Sequence, residues 1–183
     1  MNEAIHDTTL YKGAPSPEGR LLKEMAVYEV LDKLNISYER LDHEAMMTIE
    51  ACQDVDKLLG ISICKNLFLC NSQKTKFYLL LMPGEKRFDT KTFCKQIGSP
   101  RLSFAPAEYM EELLNITPGS VSVMGLMNDK ENRVSLYIDE DVLAEEYFGC
   151  HPCINTSSLK LKTADVIEKF LPYTEHGYET VVL

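Results

Sequence analysis

Lys65-Asn66-Leu67-Phe68-Leu69, followed after the polar turn Asn71-Ser72-Gln73-Lys74 by Phe77-Tyr78-Leu79-Leu80-Leu81, decides how this chain folds. Both runs are short, bulky and apolar. That pattern predicts two adjacent strands, over 66–70 and 76–82, buried on both faces as central strands are. A lysine and an asparagine at the mouth of such a strand are costly unless paired or directed into a cleft. Two further islands share this mixture of polar groups and apolar neighbours: Pro118-Gly119-Ser120-Val121 and His151-Pro152-Cys153-Ile154-Asn155-Thr156.

Outward from the strand pair, residues 1–15 are polar and contain Gly13 and Pro15, which suits a loosely held arm. Residues 16–183 read as one domain. Ser16-Pro17-Glu18 has the form of a helix start, and Leu21, Met25, Tyr28, Leu31 and Leu34 recur at helical spacing up to Asn35. Ile36 to Leu41 is strand-like. A second helix is expected from a Thr48 cap to Gly60, a third from Asp89 to Ile97, and a fourth from Pro106 to Leu114. The stretch 120–127 reads as a strand that forms a hairpin with Val134–Ile138 across the turn Asn128-Asp129-Lys130-Glu131-Asn132. A short helix from Asp141 to Tyr147, a brief strand at Leu159-Lys160-Leu161 and a helix from Thr163 to about Tyr173 complete the order. Strands and helices do not alternate strictly, so the expected class is α+β, a curled mixed sheet flanked by helices.

The chain has 183 residues, 45% apolar and 26% charged, as expected of a soluble domain with a sizeable core. No apolar run reaches the roughly 20 residues that span a bilayer. The first residues lack the basic and apolar regions of a signal peptide, and a cytoplasmic location without membrane contact is expected. Net charge is −9, which argues against broad nucleic-acid binding. Lys65 to Arg101, however, holds eight basic and two acidic residues, a local +6 against −15 elsewhere. It is either a solvated face or a landing patch for the end of a polyanion.

Each island has a plain reading and a functional one. Lys65 is a snorkelling surface lysine or a cation that binds phosphate or polarises a carbonyl. Pro118-Gly119 is an ordinary turn, or a place where backbone N–H groups reach a ligand closely. It is no Gly-x-Ser-x-Gly elbow, since Val121 stands where the serine would be. His151, Asn155 and Thr156 are structural or line a pocket. Cys150-His151-Pro152-Cys153 has redox spacing without the strand-to-helix context such chemistry needs, and the six cysteines otherwise read as small buried thiols. Zinc has no second ligand pair, and neither a dinucleotide fingerprint nor a Walker loop is present. No metal or cofactor is expected.

Taken in order, Lys65-Asn66-Leu67-Phe68-Leu69, Arg101-Leu102-Ser103-Phe104-Ala105, Pro118-Gly119-Ser120-Val121, Gly125-Leu126-x-Asn128-Asp129 and His151-Pro152-x-x-Asn155-Thr156 resemble the YbaK/ProX family of free-standing aminoacyl-tRNA editing domains. That family is related to the editing insertion of bacterial prolyl-tRNA synthetases, and the likeness is greatest to its ProX-type branch over about residues 20–180. The resemblance implies a mixed α+β fold and hydrolysis of the ester joining a wrong amino acid to tRNA. For this branch the substrate is usually alanine on proline tRNA. The alternatives are a cysteine-removing deacylase of the same family and a non-catalytic tRNA- or metabolite-binding module. The family's indispensable lysine falls on Lys65, its glycine-rich loop on Gly119 to Val123, and its His-Pro motif on His151. Val123 stands where the family loop usually has proline, which suggests a looser loop or a pocket of altered width.

No serine or cysteine nucleophile with an adjacent base is legible, so direct attack by water without an acyl-enzyme is expected. On this reading Lys65, Gly119 and Ser120 carry the chemistry. Asn66, Val121, Ser122, Val123, His151 and Asn155 form the amino-acid pocket. Lys74, Lys76, Lys86, Arg87 and Arg101 hold the tRNA acceptor end. The protein is expected to act as a monomer, with prolyl-tRNA synthetase a conceivable partner.

Overall fold

The computed structural model describes residue 5, residues 7–45 and residues 49–183, without the side chains of 49–52. In chain order the elements are β1 (Tyr11–Lys12), α1 (Leu22–Lys33), β2 (Tyr38–Asp42), α2 (Ile49–Leu59), β3 (Lys65–Cys70), β4 (Phe77–Met82), α3 (Thr90–Gln96), β5 (Ser103–Phe104) and α4 (Ala107–Leu114). A 3₁₀ segment (Val123–Asn128) leads to β6 (Val134–Asp139), α5 (Glu140–Ala144), β7 (Tyr147–Cys150) and β8 (Ser157–Lys162). Then α6 (Thr163–Asp165) runs through a π-helical turn (Val166–Phe170) into α7 (Leu171–Tyr173), and β9 (Tyr178–Val181) closes the chain.

The strands form two sheets of a single α+β domain. One is antiparallel, in the order β1-β2-β8-β7; the other is mixed, in the order β5-β3-β4-β6-β9. β3 and β4 pair antiparallel with Lys65 opposite Met82 and Cys70 opposite Phe77. β6 lies parallel to β4, and β9 parallel to β6. Alternation along β4 explains its unbroken apolar run, because successive side chains point to opposite faces. Phe77, Leu79 and Leu81 join the core between the sheets, together with Tyr28, Leu136, Leu159 and Phe170. Tyr78, Leu80 and Met82 face the other way, onto Phe93 of α3, Leu102 and Val181. A third cluster, Leu41, Val55 and Leu59, seats α2 on the outside of the antiparallel sheet.

The predicted strand pair, α2, α3 and α4 are present. Asp89 caps α3 by accepting from Lys91 N–H, and Gly60 ends α2 with φ +64°; the expected Thr48 cap lies outside the described residues. Four local expectations are corrected. The first helix begins at Leu22 rather than at Ser16-Pro17, with Leu21 and Leu22 exposed and Tyr28 and Leu31 buried. The stretch 120–127 is no strand and makes no hairpin. Ser122 accepts from Met124 N–H and starts the 3₁₀ segment, and β6 pairs with β4 instead. A buried apolar run of five, Val123 to Met127, does not distinguish helix from strand. The helix expected over 141–147 runs instead from Glu140, with Asp139 as its N-cap, to Ala144, because Glu145 is already extended and Tyr147 opens β7. The single expected sheet is two. No helix among the described residues is long and apolar enough to cross a membrane.

Candidate active site

The N-terminal end of β3 opens onto a cleft of about 560 Å³, within the range of small-molecule sites. Its walls come from five places: α2, the start of β3 with Lys65 and Asn66, the turn at Gly84-Glu85, the loop at Gly119 and Val121, and the pair His151 and Ser158. Four stretches far apart in sequence, 53–67, 84–85, 119–121 and 151–158, thus meet in one cleft.

Thr117 to Ser120 make a type II-like turn, with Pro118 at its second position, Gly119 at φ +88° and Ser120 N–H donating to Thr117 O at 3.1 Å. Gly119 is needed for that positive φ, and Asn155 Nδ2 stands 3.5 Å from where a Cβ there would sit. Asn66 fastens the loop to β3. Its Oδ1 accepts from Val123 N–H at 3.1 Å and its Nδ2 donates to Cys64 O at 3.1 Å. On the other side Ser122 Oγ donates to His151 O at 2.6 Å, which ties the two loops together. Lys65 is exposed in the cleft wall, and its Nζ donates to Lys86 O at 2.8 Å.

Two histidines stand together on one side of the cleft, His151 in its wall and His43 outside the lining. His43 Nδ1 lies 2.8 Å from Glu44 O and its Nε2 2.9 Å from Ser158 Oγ. His151 Nδ1 lies 2.9 Å from Ser157 O, and the ring centroids are 6.3 Å apart. Burial lowers both pKa values from 6.5, partly offset by the carbonyls, so both rings are neutral at pH 7. A carbonyl only accepts, so each Nδ1 carries the proton. His43 Nε2 then accepts from the Ser158 hydroxyl, and His151 keeps Nε2 as an acceptor at the cleft wall.

A family model for the aminoacyl-tRNA editing domain matches residues 43–169, from the first of these histidines through β8. The chain belongs to that family. It is accordingly an enzyme of the aminoacyl-tRNA deacylase class. Among curated proteins it is 30% identical over 160 residues to the prolyl-tRNA editing protein ProX of Acetoanaerobium sticklandii, covering 87% of this chain and 97% of that one. It is 27% identical over 179 residues to prolyl-tRNA synthetase associated domain-containing protein 1 of Danio rerio, covering 96% and 95%. Its fold matches the crystal structure of a candidate trans-editing enzyme for prolyl-tRNA synthetase with a TM-score of 0.66 at 17% identity, over 90% of this chain and 98% of the other.

The cleft brings together Lys65, Asn66, Gly119, Val121 and His151 in its walls, with Asn155 against Gly119. Ser120, Ser122 and Val123 stand behind it. All three are buried, and the N–H groups of Ser120 and Val123 are taken by Thr117 O and Asn66. The basic residues are divided. Lys86 is near Lys65, but its ammonium sits 2.8 Å from Asp139 and 2.7 Å from Asp141. Lys74 and Lys76 follow Cys70, and Arg101 precedes Ser103, its partner; this is the far end of β3, five residues or roughly 17 Å from Lys65.

His43, Ser158, Asp56 and the Gly84 turn are site features that sequence reasoning missed. Only His43 offered a signal, a histidine just after a predicted strand. Asp56 lines the cleft and accepts from Ile63 N–H at 3.1 Å, and burial raises its pKa. The redox reading of Cys150 and Cys153 finds no support in their surroundings. Both thiols are buried, and burial pushes Cys153 up to about 12 and Cys150 well above its ordinary value. Thiols so held stay protonated and inert.

Proposed function

We propose that the protein hydrolyses the ester of misacylated proline tRNA, with alanine the preferred amino acid, in the cytoplasm and as a monomer whose editing domain spans 16–183. The observation that carries this reading is the shared cleft of Lys65 and the Gly119 turn. Water attacks the ester carbonyl, the carbon–oxygen bond to the terminal ribose breaks, and the ribose oxygen leaves with a proton from the water. Lys65 has three N–H donors, of which one goes to Lys86 O, leaving two for the carbonyl oxygen or the terminal phosphate. Gly119 and Val121 line the same cleft, and no hydrogen bond within the described residues occupies their N–H groups. They supply donors where negative charge develops. His151 Nε2, held in the acceptor state, takes a proton from the attacking water or orients it together with the ribose 2′-hydroxyl. No acyl-enzyme forms, since Ser120 is buried outside the lining of the cleft and no base is hydrogen-bonded to its hydroxyl among the described residues.

Selection is by size. A synthetic site discriminates a missing methylene by only about 1–3 kcal/mol, so a second pocket that admits alanine and excludes proline completes the sieve. Val121 and the backbone of the Gly119 turn set that limit. The test is incubation with alanine-, cysteine- and proline-charged proline tRNA, following loss of each ester. Rapid loss of the alanyl ester with the prolyl ester intact supports the reading. Preference for the cysteinyl ester reassigns the substrate, and stability of all three rejects it.

A further inference from the structure

Lys65 does not hold its own position. Its ammonium is fixed by the backbone carbonyl of Lys86, 2.8 Å away, at the end of the Pro83–Lys86 turn. That turn is packed closely: a Cβ on Gly84 would come within 2.8 Å of Ile63 O. What anchors it is the Lys86 side chain, whose ammonium lies 2.8 and 3.0 Å from the two oxygens of Asp139 and 2.7 Å from Asp141. Asp139 is fully buried at the end of β6. It also accepts from Asp141 N–H at 3.0 Å and from Leu183 N–H at 3.2 Å. A buried carboxylate with this many partners is rigid, and Lys86 inherits that rigidity.

We propose that Lys86 and Asp139 are positioning residues for catalysis, acting through the Lys86 carbonyl to hold the Lys65 ammonium toward the substrate. The inference rests on the role given to Lys65 above. It also gives Lys86 a task other than binding tRNA phosphates, since its charge already faces two carboxylates. A displacement of about 1 Å at a catalytic group costs on the order of 10²-fold in rate, so loosening the turn registers in turnover rather than in substrate binding.

The experiment uses Asp139→Asn, which keeps the oxygen that caps α5, the double variant Lys86→Met with Asp139→Asn, which leaves no buried carboxylate unpaired, and the conservative Lys86→Arg. Turnover of alanine-charged proline tRNA is measured beside NMR of the Lys65 ammonium, whose hydrogen exchange reports how firmly it is held. Expected are folded proteins in which Asp139→Asn and the double variant lose about 10–10²-fold in kcat with KM within about twofold. The Lys65 ammonium exchanges faster in both, and Lys86→Arg restores most of the rate. Unchanged kcat, or lost kcat with unaltered exchange at Lys65, overturns the proposal. If the double variant does not fold, Asp139→Asn and Lys86→Arg decide by the same two readouts. The NMR arm needs no substrate, so the two failures are distinguishable: an inactive wild type sinks the function reading and the catalytic role with it, whereas unaltered exchange at Lys65 in the variants of an active enzyme sinks this inference alone.

Discussion

At the scale of single residues, Asn66 accounts for the departure at Val123. Where the resembled loop has proline, this chain has a fully buried valine whose N–H donates to Asn66 Oδ1. A hydrogen bond therefore anchors the loop where a fixed φ would otherwise do so. Val123→Pro suits the first position of the 3₁₀ segment sterically but removes that donor. It should fold and lose about 1 kcal/mol in chemical denaturation, the usual worth of one such bond; a loss several times larger would mean that the loop depends on this contact far more than its geometry suggests. His43 and His151 carry a pH dependence of stability. Each has a folded pKa below 6.5, so between that value and the lower folded one the unfolded chain binds more protons. Their contribution is complete above about pH 6.5 and falls away as pH drops. His43→Gln should therefore flatten the decline of Tm between pH 7 and 5, and an unchanged slope would count against a buried neutral His43. Lys65, Gly119 and His151 were legible as residues because polar groups among apolar neighbours stand out. The contacts of Lys65 with the Lys86 carbonyl, of Lys86 with Asp139 and of His43 with Ser158 were not, since each spans tens of residues and leaves no local pattern.

Among the elements, the strand pair 65–70 and 77–82 was readable because burial on both faces leaves an unbroken apolar run. The edge strands β1, β5, β7 and β9 were not, being two to four residues long and defined by their neighbours. The 3₁₀ segment was mistaken for a strand for the opposite reason, since full burial erases the periodicity that separates the two. β4 should be the element least tolerant of truncation. Leu80 is fully buried against α3 on the side of the sheet away from the main core. Leu80→Ala should cost about 2–5 kcal/mol by urea denaturation, as large-to-small core substitutions do. A cost under about 1 kcal/mol would show that this second apolar layer is loosely packed.

For the whole molecule, charge limits how a protein of net −9 meets a polyanion. The +6 stretch does not act as one patch, because Lys86 is neutralised by Asp139 and Asp141 and three of its members lie at the far end of β3. Five contacts to single-stranded phosphates would give a slope of log K against log salt near −3.5, at about −0.7 each. We expect a slope of about −2 or shallower; a slope near −3.5 would restore all five basic residues as contacts. The proposed mechanism itself rests on Lys65 and the Gly119 turn acting on one ester. Single-turnover deacylation of alanine-charged proline tRNA by Lys65→Ala, beside wild type and with the fold checked by thermal melting, tests this most directly. A loss of at least about 10²–10³-fold is predicted, the usual cost of removing one preorganised donor. A folded Lys65→Ala protein that cleared the ester at close to the wild-type rate would contradict it.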